Sequence, residues 1–282
     1  MKLAEFMEEL DTSSSTASKY AEVLKYLERW LAENDIELEQ MEGPEYRKFR
    51  EDKGWGNAYE RLCLIALKRY LVWAKLSEHP LLKYKIKSLP GKAPRAYHPD
   101  EMERIIASVN RTTRTGKRGY PMLLLQYDTG LRSGEICGLE KANVDLERRT
   151  LEALTKGGGW ETKIFSERTA EALRQWLRDR EDFVTNGTTN FFVSVGGTKP
   201  GQALTVNGLR AIYRQMGKQA GFELSPHDIR RSFAIAAVKN GAPIPVIMKQ
   251  GGWTNFKVFM IYLRRITPGD FEAYLPTNGG GQ

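Results

Sequence analysis

The chain has 282 residues, 41% of them hydrophobic and 10% aromatic, so it can form one large domain or two ordinary ones with packed cores. Its net charge of +8 is unevenly spread: residues 1–90 hold 15 Lys or Arg against 16 Asp or Glu, and the remainder holds 28 against 19. The composition excludes a largely disordered chain. The basic C-terminal part indicates a polyanionic partner such as nucleic acid, or else simply a moderately basic soluble protein.

The cysteines and the apolar runs exclude further classes of protein. Cys63 and Cys137 are the only cysteines, too few for a disulfide framework or a metal cluster and typical of a reducing cytosol. The N-terminus, MKLAEFMEELDTSSS, lacks the long apolar core and cleavage site of a signal peptide. Since no apolar run approaches about 18 residues, we expect a cytoplasmic protein with no membrane partner. We also expect no cofactor and no metal.

Three amphipathic segments predict a small helical unit at the N-terminus. Residues 14–34 carry apolar side chains at three- and four-residue steps, after Ser and Thr residues that can cap a helix. Pro44 opens a short helix that continues to Phe49, and residues 57–75 present a broad apolar face. We therefore expect a helical domain over residues 1–83 with its own core.

A basic, proline-rich stretch separates this unit from a second, mixed one. Residues 84–97 show no periodicity and predict a linker, after which His98, Pro99 and Asp100 begin a helix. In the domain predicted for residues 98–282, YPMLLLQYDTG indicates a buried helix that ends at Gly130. A hairpin is predicted near residues 150–166, a strand in NFFVSV at 190–195, and mostly helices after residue 205.

The C-terminal part holds residues that can bind phosphate, each with a plainer alternative. His227 and Arg230 are three residues apart and share a helix face, which also fits a capping His beside a surface Arg. Arg132 follows Gly130 at the start of a helix, where its guanidinium joins free backbone N–H groups, or else pairs with Glu135. Tyr262 lies in VFMIYLRR, where core packing is the commoner role of a Tyr.

Lys156 has a special position in the predicted hairpin, because it ends a strand just before Gly157, Gly158 and Gly159. These glycines predict a mobile turn on which Lys156 can approach or leave a substrate. The alternative is an ordinary solvated hairpin lysine.

Taken together, these residues resemble the tyrosine site-specific recombinases, or phage-integrase-type recombinases, in order and interval. The resemblance rests on TGLR with Glu135 and Leu139, on TKGGG, on HDIRRSFA, and on a Tyr nine residues after GGW. It covers about residues 98–265 strongly. Residues 14–77 look like the core-binding domain of the family on a less specific pattern. The implied fold is mainly α with a small β-hairpin or sheet, in which a helical core-binding domain precedes an α+β catalytic domain.

The resemblance implies six catalytic residues: Arg132, Lys156, His227, Arg230, Trp253 and Tyr262. The two arginines would clamp the phosphate, and His227 would contact it and help take the tyrosine proton. Lys156 would protonate the leaving 5′ oxygen, with Lys163 on the returning strand as the next candidate. Tyr262 would form a 3′-phosphotyrosine without ATP or metal; otherwise Tyr213 or Tyr274 is the nucleophile.

One position departs from the commoner family pattern, because Trp253 stands where most members carry His. An indole N–H can donate a hydrogen bond but cannot titrate, so Trp253 has no acid–base role.

The implied partner is double-stranded DNA, bound by a homotetramer on two recombination sites, with the C-terminal tail of each protomer packing on a neighbour. Because the chain begins almost at the core-binding domain, we expect no arm-binding domain. Two alternatives are a type IB topoisomerase-like nicking enzyme and a DNA-binding protein of this fold that no longer cuts.

Overall fold

The computed structural model describes residues 1–87, 89, 93–155, 158–184, 187–197, 199–266 and 269–270, apart from the Arg265 side chain. It divides the chain into two compact units, Met1–Gly91 and Lys92–Gln282. The division falls within the stretch predicted as a linker. None of the described helices is long and apolar enough to span a bilayer.

The first unit is helical. Its helices are α1 Leu3–Glu9, α2 Ser14–Glu33, α3 Gly43–Lys53 and α4 Asn57–Trp73. Helix α2 buries the apolar side chains of its predicted stripe, and α3 has Pro44 in its first turn and ends at Gly54 with φ of 59°. Trp30, Phe49 and Tyr70 are among the buried residues, so this unit has a core of its own.

The second unit joins helices to a small antiparallel sheet. Its helices are α5 Pro99–Ala107, α6 Arg114–Thr129, α7 Ser133–Gly138, α8 Glu167–Arg180, α9 Val206–Ala220, α10 Pro226–Lys239, α11 Ile244–Gly251 and α12 Phe256–Tyr262. Its strands, in the order β1-β2-β3, are β1 Val144–Asp145, β2 Thr150–Leu154 and β3 Trp160–Ile164. The predicted hairpin is β2 with β3, in which Thr150 pairs with Ile164 and Leu154 with Trp160. The predicted mainly α fold with a small sheet is confirmed.

The strand predicted at 190–195 is wrong. The segment makes only isolated bridges, from Asn190 to Glu140 and from Val193 to Ala203. Several of its carbonyl groups accept hydrogen bonds from buried side chains. Trp176 Nε1 donates to Phe191 O at 2.9 Å and Arg118 Nη1 to Val193 O at 3.0 Å. The apolar residues are buried as a strand pattern requires. Side-chain donors take the carbonyl groups of Phe191 and Val193, whereas Phe192 O and Ser194 O accept from backbone N–H groups, so no continuous ladder forms.

Candidate active site

Arg132 is placed by the turn between α6 and α7. Helix α6 ends at Gly130 in the left-handed conformation, with φ of 63°, and a Cβ there would lie 2.6 Å from the Phe233 ring. Arg132 then precedes α7. Its Nη1 donates to Glu135 Oε1 at 2.7 Å and its Nη2 to Gly252 O at 2.6 Å. The predicted ion pair between Arg132 and Glu135 is therefore present. Because 38% of the Arg132 side chain remains exposed, its guanidinium group can also contact a ligand.

Arg230 lies beside Arg132 at the start of α10. Ser225 caps this helix through reciprocal hydrogen bonds with Asp228. Arg230 is 2% exposed, its Nη1 donates to Gly130 O, and its Cζ lies 4.1 Å from the centre of the Trp253 ring. Burial, and then the positive charge of Arg132, lower the pKa of Arg230 to about 10, which leaves it protonated at neutral pH.

Trp253 lies between Arg230 and Tyr262. A Cβ on Gly251 would lie 1.9 Å from the Trp253 ring, so the ring packs where another residue would clash. The ring stacks on Phe233 with 6.1 Å between centroids and lies 5.2 Å from the ring of Tyr262. Its Nε1 is buried and has no hydrogen-bond partner among the described residues. This N–H is free to bind an added acceptor.

Tyr262 is the last residue of α12 and is half-buried. Besides Trp253, the Tyr262 ring contacts Arg231, whose Cζ is 5.8 Å from the ring centre. The Tyr262 side chain also lies close enough to Arg230 to act to raise the pKa of that residue. Tyr213 is fully buried and donates its hydroxyl to Met122 O at 3.2 Å. Of these two tyrosines, only Tyr262 lies beside the arginines.

His227 is exposed at the start of α10. The protein atoms that surround the imidazole on one side reduce its hydration, and this lowers its pKa. The positive charges of Arg231, Arg230 and Arg210 lower the pKa further, whereas the negative charge of Asp228 acts to raise it. His227 is therefore neutral at pH 7, the form that can accept a proton.

The predicted Lys156 lies outside the described residues, as does Gly157. Lys163, the alternative lysine, is described and is fully buried. Its Nζ donates to Glu161 Oε2 at 2.9 Å and to Gln250 O at 2.8 Å, so it is bound within the protein.

Asp228 and Gln250 are additional residues of this region. The Asp228 carboxylate is buried and accepts hydrogen bonds from Arg95, Arg231 and Ser225. A Ser followed three residues later by Asp is a capping-box pattern, which indicates Asp228 from the sequence. Gln250 has no such local pattern, because its partners lie far away in the chain.

The family to which the chain belongs identifies the chemistry of this site. A model of the phage integrase family matches residues 96–267, more than half of the chain. The chain belongs to the phage integrase family. It is accordingly a tyrosine site-specific recombinase, an enzyme that cleaves and rejoins DNA strands, as the resemblance implied.

Several relatives of this phage integrase family member are similar over most of their length. Tyrosine recombinase XerA of Thermococcus kodakarensis is 26% identical over 214 residues, which cover 75% of this chain and 72% of the relative. Tyrosine recombinase XerC of Anoxybacillus flavithermus is 26% identical over 251 residues, covering 86% and 82%. The crystal structure of XerH bound to palindromic difH substrate, a post-cleavage complex, matches with a TM-score of 0.75 at 19% identity, covering 93% of this chain and 80% of that one. At this identity the structural match supports the shared fold.

Proposed function

We propose that Tyr262 is the nucleophile of this recombinase and that Arg132 and Arg230 clamp the scissile phosphate. The observation that supports this proposal best is that Arg132, Arg230, Trp253 and Tyr262, which belong to different segments of the second unit, lie at one place. Guanidinium groups stay charged and bind phosphate oxygens in pairs, so they drain charge from the transition state. The orphan N–H of Trp253 is a third donor for a phosphate oxygen.

The proposed step is a transesterification. A bond forms between Tyr262 Oη and phosphorus while the bond from phosphorus to the 5′ oxygen breaks, leaving a 3′-phosphotyrosine and a free 5′ hydroxyl. His227 accepts the tyrosine proton, which its neutral form allows. Lys156 donates a proton to the leaving 5′ oxygen. Attack by a 5′ hydroxyl from another strand reverses the bond changes and completes strand exchange, so no ATP is consumed.

We propose that double-stranded DNA is held by both units, with Met1–Gly91 as the core-binding domain and the second unit as the catalytic domain. The basic excess of the chain beyond residue 90 supports this placement, since phosphate contacts dominate the affinity of DNA-binding proteins. The reaction is proposed to take place in the cytoplasm, which suits the free, buried Cys63 and Cys137.

Recombination between two sites requires four active sites, so we propose a homotetramer linked by the C-terminal tails. An open apolar groove of about 480 Å³ on the catalytic unit suits the tail of a neighbouring protomer. Phe165, Phe233, Val246 and Ile247 are among its lining residues. The tail sequence FEAYLPTNGGGQ offers Phe271, Tyr274 and Leu275 as apolar anchors.

A nicked suicide DNA substrate tests the chemistry. Cleavage releases a short fragment, so the covalent adduct accumulates, and peptide mapping should place the DNA on Tyr262. Tyr262→Phe should form no adduct and bind DNA nearly as tightly as the wild type, because only one oxygen is lost. An adduct formed by the Phe variant would assign the nucleophile to another residue.

A further inference from the structure

Strand β3 carries a lysine that the proposed chemistry does not use. Lys163 has 0% side-chain exposure, and its ammonium group binds Glu161 Oε2 and the Gln250 carbonyl oxygen. Burying an ammonium group is costly unless it is paired and hydrogen-bonded. Met or Leu would fill the same space without that cost, so the polar contact itself requires an explanation.

The Gln250 side chain makes a second connection to the same strand. Its Nε2 donates to Ile164 O at 2.6 Å, and its Oε1 accepts from Ile164 N at 3.4 Å. The primary amide thus pairs with Ile164 as the backbone of a neighbouring strand would. Since β3 is the last strand in the order β1-β2-β3, Gln250 covers backbone groups at the free edge of the sheet.

Both connections end at the C-terminal end of α11, where Arg132 is also bound. The Gln250 carbonyl oxygen accepts from Lys163 and the Gly252 carbonyl oxygen accepts from Arg132. Helix C-termini favour such cations because their last carbonyl groups lack partners. A Cβ on Gly252 would lie 2.7 Å from Glu161 Oε2 and 3.3 Å from Arg132 Nη1, so the hairpin and the phosphate clamp meet at this residue.

We propose that Lys163 and Gln250 form a latch that positions the β2–β3 hairpin for the general-acid step. The latch fixes β3 to α11, and Lys156 lies in the sequence between β2 and β3. Lys163 and Gln250 are positioning residues, because the bonds that hold them lie within the protein. The inference rests on the proposed role of Lys156 in protonating the 5′ oxygen.

Cleavage of two suicide substrates by purified full-length variants tests the latch. One substrate has the ordinary 5′ oxygen and the other a 5′-bridging sulfur, which leaves as a thiolate without a proton. Lys163→Met and Gln250→Met should each cleave the oxygen substrate roughly 10- to 100-fold more slowly, as a misplaced catalytic group predicts. Both should cleave the sulfur substrate within about threefold of the wild-type rate, because the step that depends on the acid is bypassed.

Two further variants separate the possible failures. Thr162→Val is the matched control: it lies on the same strand and loses a hydrogen bond to Glu152, on the other strand of the hairpin rather than on α11. It should behave as wild type on both substrates.

Lys156→Ala should show the same sulfur rescue as the latch variants. If Lys156→Ala is rescued but the latch variants stay slow on sulfur, or are not slowed on oxygen, the latch inference is overturned alone. If Lys156→Ala is not rescued, the proposed role of Lys156 is overturned, and the latch inference with it.

Amide hydrogen exchange keeps the test decisive if Lys163→Met folds poorly. Gln250 is only half-buried, so Gln250→Met should preserve the fold, and exchange should accelerate within residues 150–164. Unchanged exchange in the hairpin would overturn the latch.

Discussion

Replacing Arg230 by Lys tests the proposed phosphate clamp most directly. The guanidinium is nearly fully buried, donates to Gly130 O and stacks 4.1 Å above Trp253. A lysine keeps the positive charge but loses the planar face and the paired donors. Losing one preorganised donor to a developing charge costs about 3–4 kcal/mol, so the cleavage rate should fall by about 10²- to 10³-fold.

The same substitution also has a cost in stability, which must be measured separately. The stacking of Arg230 on Trp253 contributes about 0.5–2 kcal/mol to the free energy of unfolding, and lysine reproduces only part of it. Arg118→Lys is the matched control, since Arg118 is also buried and donates to a backbone carbonyl group. Burial lowers its pKa to about 10 as well. Arg118 lies on α6, 12 residues before Gly130, which places it roughly 18 Å along the helix from the Gly130 carbonyl group that Arg230 binds.

Single-turnover cleavage of a suicide substrate, at DNA concentrations that saturate each variant, gives the rate constant free of binding effects. Urea unfolding of both variants gives the stability change. Arg118→Lys should lose stability and cleave at the wild-type rate when folded. Cleavage by Arg230→Lys within about tenfold of wild type would remove Arg230 from the clamp, because a point charge would then suffice.

Three other predictions follow from the site. Trp253→Phe should keep the ring stack and lose the N–H, so single-turnover cleavage should slow by about 10- to 100-fold, and Trp253→His should recover part of the loss. Burial and the neighbouring arginines lower the pKa of His227 from its ordinary value, so wild-type cleavage should be retained at pH 7 and lost as acid protonates the imidazole. A pH–rate profile unchanged in His227→Gln would rule out this base. DNA affinity measured by titration should fall with salt, with a log–log slope of about −0.9 per phosphate contact, and a flat response would contradict the basic DNA-binding face.

Much of the fold could be predicted because local signals agree with tertiary packing. The apolar stripe of α2 is the one that becomes buried, and Gly130 ends α6 where its left-handed conformation is required. The order and spacing of Arg132, Arg230, Trp253 and Tyr262 indicated one site, which the fold brings together. Helices α1 and α8 and the two-residue strand β1 add to the predicted elements.

The remaining features depend on partners that no local pattern specifies. The apolar run at Phe191–Val193 looks like a strand, but Trp176 and Arg118 compete for its carbonyl groups, and both lie elsewhere in the chain. Likewise, a Lys at 163 within alternating residues suggests an exposed position on a hairpin. Its burial follows from the end of α11, which supplies the carbonyl group of Gln250.

The separate hydrophobic cores of the two units bear on how such a protein diversifies. Each unit packs its own apolar residues, and the described site residues Arg132, His227, Arg230, Trp253 and Tyr262 all belong to the second unit. Mutation or genetic exchange within residues 1–91 can therefore alter the first unit while leaving the chemistry intact. On the proposed division of roles, we expect hybrids that carry the first unit of another recombinase to acquire a new target preference and to retain the same covalent intermediate.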